Sequence, residues 1–385
     1  MGILRILLAL AVIVAHCGLI WKFQPVGGPI AVETFFILSG FYMSLILNEK
    51  YKTASYRLFI TNRFLRLYPL YWSVLIATGL FCITVFLISG RQSFPIVDQY
   101  LLVRRHNASF LFLASTNALI FGQDVVMFTG INPETGHLFF TPNFWLTSPP
   151  LFTFLFIPQA WSLGIELVFY LIAPLLLRKK AKWIILLIVL SLALRMYLYN
   201  VLGLQNDPWT YRFFPTEIVF FLLGNIAYRI YIRIKECPVP GYINILILSY
   251  VVLATTMYGC IPTYRTPFLP FSWNELVYFP SITAVIPFLF SHLKNWKVDS
   301  GIGELSYPVY LSHLLIAKVA YAMPYPVLQQ SWCIALVTLV FSYLLHRGVA
   351  KPIEKYRQGR LTKASTISPG PNAVSGKAHR LHITN

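Results

Sequence analysis

Acidic side chains are scarce in this sequence. Only 13 of its 385 residues are Asp or Glu, against 31 Lys or Arg, and charged residues make up 11% of the chain. Soluble domains carry about 25% charged residues, so this small share excludes a soluble fold for most of the chain. The net charge of +18 would favour nucleic-acid binding only on a soluble basic face. The sequence offers no such face, so we exclude nucleic acid as a partner.

Cysteine is scarce as well. The five cysteines form no CxxC motif and no metal-binding spacing, and they stand at positions 17, 82, 237, 260 and 333. The sequence therefore predicts neither a disulfide framework nor a metal site. It also lacks a convincing internal repeat, which many transporters carry, and a soluble catalytic domain at either end.

Apolar runs dominate the chain instead. Hydrophobic residues make up 57% of it, and the mean hydropathy is +0.65. Many runs are long enough to cross a bilayer as helices, so we predict an all-α, polytopic membrane helix bundle. Ten spans are predicted, over residues 3–21, 30–47, 68–89, 157–177, 183–202, 213–232, 242–260, 276–292, 306–323 and 329–347. The first resembles a signal peptide, but a second apolar run follows at once, so we expect no cleavage.

The basic residues predict the orientation of the bundle. With the N-terminus placed in the cytoplasm, 22 of the 31 Lys and Arg residues fall in inside segments and six in outside segments. Cytoplasmic loops of membrane proteins show this bias, so we expect both chain ends in the cytoplasm.

Two segments do not read as membrane spans. Residues 90–156 form a long outer loop, in which the apolar stretch 109–126 would reverse the side of every later loop if it crossed the membrane. We therefore predict a short or re-entrant helix there. Residues 351–385 are basic, polar and without apolar periodicity, which is typical of a disordered cytoplasmic tail. The predicted membrane domain covers residues 1–350.

The first two spans place ionisable groups where each costs at least ~2.5–3.5 kcal/mol, which suggests function. His16 and Glu33 both lie within ~5–8 Å of the outer boundary, across a tight turn. A carboxylate that orients an imidazole leaves the free ring nitrogen as a general base for a hydroxyl. A structural bond between two helices is the alternative. Arg5 shares a helix face with His16 at a distance of ~16 Å, so the two can line one groove at two depths.

The third span begins with the motif NRFLRLYPLYW (62–72). Arg63 and Arg66 lie one turn apart at its cytoplasmic end, and Arg5 can join them. Guanidinium groups suit phosphate oxygens, so we predict phosphate recognition here. Positive-inside topology with an aromatic belt is the alternative.

The fourth span carries the motif QAWSLGIELVFYLIAP (159–174). Trp161, Glu166 and Tyr170 fall on overlapping faces of the predicted helix. A buried carboxylate such as Glu166 should bind a polar group or pair with a cation, unless it only joins two helices. The embedded cations and their possible partners are Arg195 and Lys318, with Glu33, Glu166 and Glu217.

The ninth span contains GELSYPVYLSH (303–313). Ser306, Tyr310 and His313 follow at i, i+4 and i+7 and therefore share one stripe of the helix. We place His313 in the inner half of the span, where it either contacts a donor molecule or bonds a neighbouring hydroxyl.

Together these motifs resemble the type 3 membrane acyltransferases. The resemblance covers about residues 5–350 and rests on R-x10-H in the first span, the glutamate before FFILSGF (35–41), RFLRLYPLYW, WSLxxExxFYLxxP and SYPVYLSH, in that order. It implies an enzyme that moves an acyl group, usually acetyl from acetyl-coenzyme A, onto a hydroxyl of an envelope or secreted carbohydrate. Several relatives carry an extra esterase-like domain. We expect no such domain here, so the membrane domain would carry out the complete reaction.

The resemblance also implies roles for individual residues. Arg5, Arg63 and Arg66 would hold the nucleotide end of acyl-CoA, which is a donor substrate and not a permanently bound cofactor. His16, oriented by Glu33, would deprotonate the sugar hydroxyl that attacks the thioester, with an acyl-histidine relay as the alternative. The residues expected to line the channel are Trp161, Glu166, Tyr307, Tyr310 and His313.

The carbohydrate acceptor stays open at this point. O-antigen, capsule, exopolysaccharide and lipo-oligosaccharide all fit, and the expected location is the inner or plasma membrane of a bacterium. A polytopic transporter or flippase would also show many spans with embedded charges, and a polysaccharide polymerase is a further alternative.

Overall fold

The computed structural model describes residues 1–21, 23–52, 54–89, 95–104, 106–237 and 239–367. Helices dominate these ranges. They are α1 Gly2–Cys17, α2 Gly28–Glu49, α3 Tyr56–Ser89, α4 Pro95–Val103, α5 Asn107–Leu119, α6 Trp161–Leu176, α7 Ala181–Asn200, α8 Phe214–Ile234, α9 Gly241–Thr256, α10 Trp273–Leu293, α11 Lys297–Ala322, α12 Ser331–Leu345 and α13 Lys351–Ile367. A hairpin of β1 (Thr129–Ile131) and β2 (Leu138–Phe140) pairs antiparallel, with Thr129 opposite Phe140.

Each of the ten predicted spans falls on one of these helices. In the described part of the chain, six helices are long and apolar enough to cross a membrane, and α1 and α9 are shorter apolar helices. The predicted all-α membrane bundle is therefore confirmed. The count of about ten crossings and the cytoplasmic side of the chain ends stay predictions.

The helices α2 and α8 cross at two glycines. A Cβ on Gly40 would lie 1.9 Å from the carbonyl oxygen of Phe221, and a Cβ on Gly224 would lie 2.1 Å from a carbonyl oxygen of α2. Small residues allow such close backbone approach inside membranes. Glu33 and Glu217 each lie two helical turns before the glycine of their own helix, so the crossing brings these carboxylates to the same depth.

The helices α1 and α11 lie side by side and run in the same direction. Near the start of α11, the Asp299 carboxylate accepts hydrogen bonds from the backbone N–H groups of Gly2 and Ile3, each at 2.8 Å. It thereby satisfies donors that the first turn of α1 leaves free. His16 lies 14 residues after Gly2 on α1, and His313 lies 14 residues after Asp299 on α11. Because both helices rise ~1.5 Å per residue, the two histidines reach the same depth.

The segment predicted as an outer loop contains α4, α5 and the hairpin. With 13 residues, α5 is about 20 Å long, which is short of the ~30 Å hydrocarbon core. A short helix does form in this stretch, and its place in an outer or re-entrant loop stays a prediction. Its last carbonyls accept hydrogen bonds from aromatic side chains of α3: Trp72 Nε1 donates to Ala118 O at 2.8 Å, and the Tyr68 hydroxyl donates to Leu119 O. These side chains thus complete the C-terminal end of α5.

The segment predicted as a disordered tail begins with a helix instead. Helix α13 packs against α3, and residues 368–385 lie outside the described residues. Arg360 donates to Asn62 Oδ1 at 2.7 Å and to Thr61 Oγ1 at 2.9 Å. These contacts hold a polar helix that the composition did not reveal. The prediction of disorder was therefore wrong for α13, and the division into two domains stays a prediction.

Candidate functional site

Three spaces follow one another through the middle of the bundle. The His16 cavity, of about 540 Å³, lies between α1, α2, α6 and the loop before α8. The Arg66 cavity, of about 620 Å³, lies between α3, α11 and α13. A central passage of about 90 Å³ shares Arg5, Arg66 and Tyr307 with the Arg66 cavity, and it shares Tyr310 with the His16 cavity. The passage therefore lies between the two cavities.

Helix α1 brings His16 to the wall of the His16 cavity, where the residue is exposed. Its Nδ1 atom lies 2.9 Å from the carbonyl oxygen of Val12. A carbonyl oxygen can only accept, so Nδ1 carries the hydrogen and Nε2 is the basic nitrogen of the neutral ring. A backbone carbonyl therefore fixes the tautomer that we expected Glu33 to fix. The predicted His16–Glu33 hydrogen bond was wrong.

His313 stands behind His16 instead of lining the passage. The two ring centroids are 5.1 Å apart, and His313 is completely buried. Its Nδ1 donates to the carbonyl oxygen of Tyr310 at 2.7 Å, while Nε2 has no hydrogen-bond partner among the described residues. The position of His313 in the inner half stays a prediction, but α11 begins at Lys297, well before the predicted span. His313 therefore lies deeper along its helix.

Glu33 contacts Arg195. The Nη2 atom of Arg195 lies 3.5 Å from Glu33 Oε1 and also bonds Glu217 Oε1, and all three side chains are buried. Of the pairings that the sequence left open, Arg195 therefore makes those with Glu33 and Glu217. Two buried carboxylates share one guanidinium group, which offsets only part of the free-energy cost of burying them. Glu33 still lines the His16 cavity, so a bound molecule can reach it.

Glu166 lies in the wall of the central passage. Its Oε1 atom accepts hydrogen bonds from the Ser39 and Tyr170 hydroxyls, both at 2.5 Å. Tyr307, also predicted as a channel residue, donates its hydroxyl to the carbonyl oxygen of Leu67 at 2.8 Å. The passage is thus shaped by side chains that hydrogen bonds hold in place.

Tyr310 lies where the central passage meets the His16 cavity. Its hydroxyl donates to the carbonyl oxygen of Gln159 at 2.7 Å and lies 2.6 Å from Ser162 Oγ. Gln159 Nε2 in turn donates to Leu311 O at 2.9 Å. This network joins α6 to α11 at the narrow end of the His16 cavity. Sequence analysis missed Gln159, although it stands two residues before Trp161.

The predicted arginines meet at the other end of the passage. Arg5 and Arg66 line both the passage and the Arg66 cavity. Arg63 is 2% exposed, and its Nε and Nη1 atoms have no hydrogen-bond partner within the described ranges. It lies outside the lining of the cavity, with its guanidinium carbon 5.8 Å from the centre of the Phe59 ring. The three arginines thus form one basic region, with Arg63 behind the wall.

The His16 cavity contains a cluster that sequence analysis missed. The Arg212 guanidinium carbon lies 4.3 Å from the centre of the Trp161 ring, and its Nε donates to both Asp207 oxygens at 2.7 and 3.0 Å. Burial raises the pKa of Tyr211, which keeps its hydroxyl protonated. The signal in the sequence is the run NDPWTYR (206–212), which lies between the fifth and sixth predicted spans. Among the described residues no group of three potential ligands for a metal ion occurs.

Comparisons with known proteins match most of the chain. The family model described as an acyltransferase domain matches residues 1–347. A Staphylococcus aureus (strain COL) protein named "Putative O-acetyltransferase" is 25% identical over 389 residues, which cover 91% of this chain and 56% of the relative. A Bacillus subtilis (strain 168) protein named "Putative peptidoglycan O-acetyltransferase" is 25% identical over 378 residues, which cover 91% of this chain and 54% of the relative. An uncharacterized Aquifex aeolicus protein is 24% identical over 228 residues, which cover 55% of this chain and 92% of the relative.

The chain spans about half the length of the Staphylococcus and Bacillus relatives. No solved structure matches it. The family match contains the five sequence motifs and the residues of the central passage. The resemblance found in the sequence is therefore confirmed, and the chain belongs to the type 3 acyltransferase family, whose model describes an acyltransferase domain.

Proposed function

We propose that this protein transfers an acyl group, acetyl by default, from acyl-CoA to a hydroxyl group of a cell-envelope carbohydrate. The observation that carries the proposal is the central passage of about 90 Å³ between a basic cavity and a cavity with a free imidazole nitrogen. Two substrates that enter from opposite sides can meet only where such a passage ends. This arrangement suits a cytoplasmic donor and an external acceptor.

The donor binds with its phosphates in the Arg66 cavity. Arg5 and Arg66 stand at the mouth of the passage, and guanidinium groups form charge-assisted hydrogen bonds with phosphate oxygens. The pantetheine arm of the donor extends through the passage beside Tyr307 and Glu166. Its thioester then reaches Tyr310, at the inner end of the His16 cavity.

His16 carries the chemistry. Its Nε2 atom removes the proton from the sugar hydroxyl, and the oxygen attacks the thioester carbonyl. The new C–O bond forms, the C–S bond breaks, and the proton passes from the imidazolium to the departing thiolate. The Nδ1–Val12 hydrogen bond of 2.9 Å keeps the ring in the tautomer that this step requires.

The acceptor binds in the His16 cavity, which combines the features of a sugar site. Trp161 offers an aromatic face, and Asp207, Arg212 and Gln159 offer hydrogen-bonding groups. The name of the Bacillus relative adds peptidoglycan to the acceptors considered above. We place the protein in the bacterial cytoplasmic membrane, where acyl-CoA and envelope glycans lie on opposite sides.

The test uses membrane vesicles supplied with labelled acetyl-CoA and isolated surface glycan. Wild-type vesicles should transfer the label to glycan, and His16→Ala should lower transfer by at least about 100-fold because the general base is lost. His292→Ala, an exposed histidine at the end of α10, is the matched control and should transfer normally. A transporter or flippase would leave the glycan unlabelled in every sample. Mass spectrometry of the labelled product identifies the acceptor.

A further inference from the structure

Helix α13 lies beyond the residues that the family model matches, which end at 347. It nevertheless forms one wall of the Arg66 cavity, to which it contributes Lys351, Glu354, Lys355, Arg357 and Gln358. Together with Arg5, Arg66 and Arg347 from other elements, basic side chains outnumber acidic ones in this lining by six to two. The cavity therefore presents a positive surface, half of whose basic residues come from α13.

Several guanidinium groups in this region lack partners. Arg357 is 6% exposed and Arg63 is 2% exposed. Within the described ranges, hydrogen-bond partners are missing for Arg357 Nε, for Arg63 Nε and Nη1, and for Arg66 Nη1. Buried donors without partners are costly, and more so when they are charged. An anion with several oxygens in the cavity would satisfy the donors of Arg357 and Arg66 together.

The acidic residues present do not neutralise the cluster. Glu354 accepts hydrogen bonds from Arg357 Nη1 and from Gln358 Nε2, the latter at 3.0 Å. Glu304 pairs with His346 at 3.1 Å. Arg63 and Arg66 are close enough to act electrostatically on Glu354, so one carboxylate faces three guanidinium groups.

Hydrogen bonds hold helix α13 against helix α3. Arg360 bonds Asn62 and Thr61 of α3, at 2.7 and 2.9 Å. Arg63 follows Asn62 directly in the sequence. The same contact therefore joins α13 to the helix that carries Arg63 and Arg66, and it holds Arg357 against them.

We propose that α13 completes the donor site and that Arg357, together with Arg66, binds phosphate groups of the acyl-CoA nucleotide, while Arg63 adds positive charge from behind the cavity wall. The inference rests on the proposed function for the identity of the donor. The unpartnered guanidinium donors supply the chemistry, which any multiply charged phosphate can satisfy. Arg357 acts in binding, so it should affect donor affinity and leave the chemical step unchanged.

The first experiment measures binding of adenosine 3′,5′-bisphosphate, a fragment of coenzyme A, to the full chain purified in detergent. Arg357→Gln should weaken binding by about tenfold or more, since it removes charge-assisted hydrogen bonds. Arg357→Lys should recover part of the affinity because it keeps the charge. Lys235→Gln, at an exposed cation on the end of α8, is the control and should bind as the wild type does.

The second experiment measures acetyl transfer by the same variants. Arg357→Gln should raise KM for acetyl-CoA by a similar factor at unchanged kcat, which a general loss of folding would not produce. Binding and KM equal to those of the wild type would overturn the proposal for α13 and leave the acyltransferase proposal intact. Bisphosphate binding that depends on Arg357, without any transfer by the wild type, would support the phosphate site and refute the transferase.

Discussion

The imidazole rings of His16 and His313 lie 5.1 Å apart, and each donates its Nδ1 hydrogen to a carbonyl oxygen of its own helix. Both Nε2 atoms are therefore free to accept a proton. His16 lines the His16 cavity, whereas His313 is completely buried behind it. His313 thus supports the ring that we propose as the base.

We expect His313→Leu to lower kcat for acetyl transfer by about 10- to 100-fold, because a shift of about 1 Å in a catalytic group has an effect of this size. KM for acetyl-CoA should stay unchanged, since we propose that the donor phosphates bind at the far end of the passage. Steady-state kinetics in vesicles measure both values. Ser312→Ala is the control, because the Ser312 hydroxyl contacts Ser342 of α12 and not α1. An unchanged kcat in His313→Leu would remove any supporting role.

The sequence predicted the ten apolar helices and the embedded charged residues, but not how these residues pair. Embedded charges are rare enough to identify His16, Glu33 and Arg195 from the sequence alone. The choice between Glu33 and a backbone carbonyl as partner of His16 depends on the crossing of α2 with α8, which two glycines set. Periodicity along one helix contains no information on such a crossing.

Two further differences have local causes. The start of α11 was predicted too late because its polar first turns, which begin at Lys297, are not part of an apolar span. Helix α13 was missed because its stability comes from contacts with α3, such as that of Arg360 with Asn62. In both helices the packing of the folded protein, and not the composition of the segment, determines where the helix lies.

The structure predicts unequal roles for the two residues first proposed as a catalytic pair. Glu33→Gln should keep kcat within about tenfold of the wild type, whereas His16→Ala should lose at least about 100-fold. The reason is that Val12, not Glu33, holds the tautomer of His16. Transfer assays on vesicles with matched protein levels measure the difference. If Glu33→Gln is as inactive as His16→Ala while its melting temperature is normal, the carboxylate takes part in the reaction.

The glycine crossing of α2 and α8 should tolerate no side chain. In Gly40→Ala the new Cβ would lie 1.9 Å from the Phe221 carbonyl oxygen, so the two backbones must separate and pull Glu33 away from Arg195. We expect little monodisperse protein in size-exclusion chromatography and a lower melting temperature. Gly79→Ala, in open space on α3, is the control and should be neutral or stabilising by about 0.5–1 kcal/mol. Equal behaviour of the two variants would contradict the crossing described here.

The buried carboxyl of Asp124 should make the stability of the protein depend on pH. Burial raises the pKa of its carboxyl from 3.8 to about 6, so the folded state binds the proton more tightly than the unfolded state does. The stabilising contribution is complete below pH 3.8 and is lost as the pH rises through 6. Asp124 lies against Gly164 of α6, which carries Trp161 and Glu166, so this loss should reach the site.

We therefore expect the melting temperature of the wild type in detergent to fall more between pH 5 and pH 7.5 than that of Asp124→Asn, whose amide does not titrate. The variant should be the more stable protein at pH 7.5, because no buried charge forms there. Glu134→Gln, at an exposed carboxylate in the turn of the hairpin, controls for the loss of one negative charge and should keep the wild-type pH dependence. Identical pH profiles for the wild type and Asp124→Asn would show that the Asp124 carboxyl titrates as it does in water.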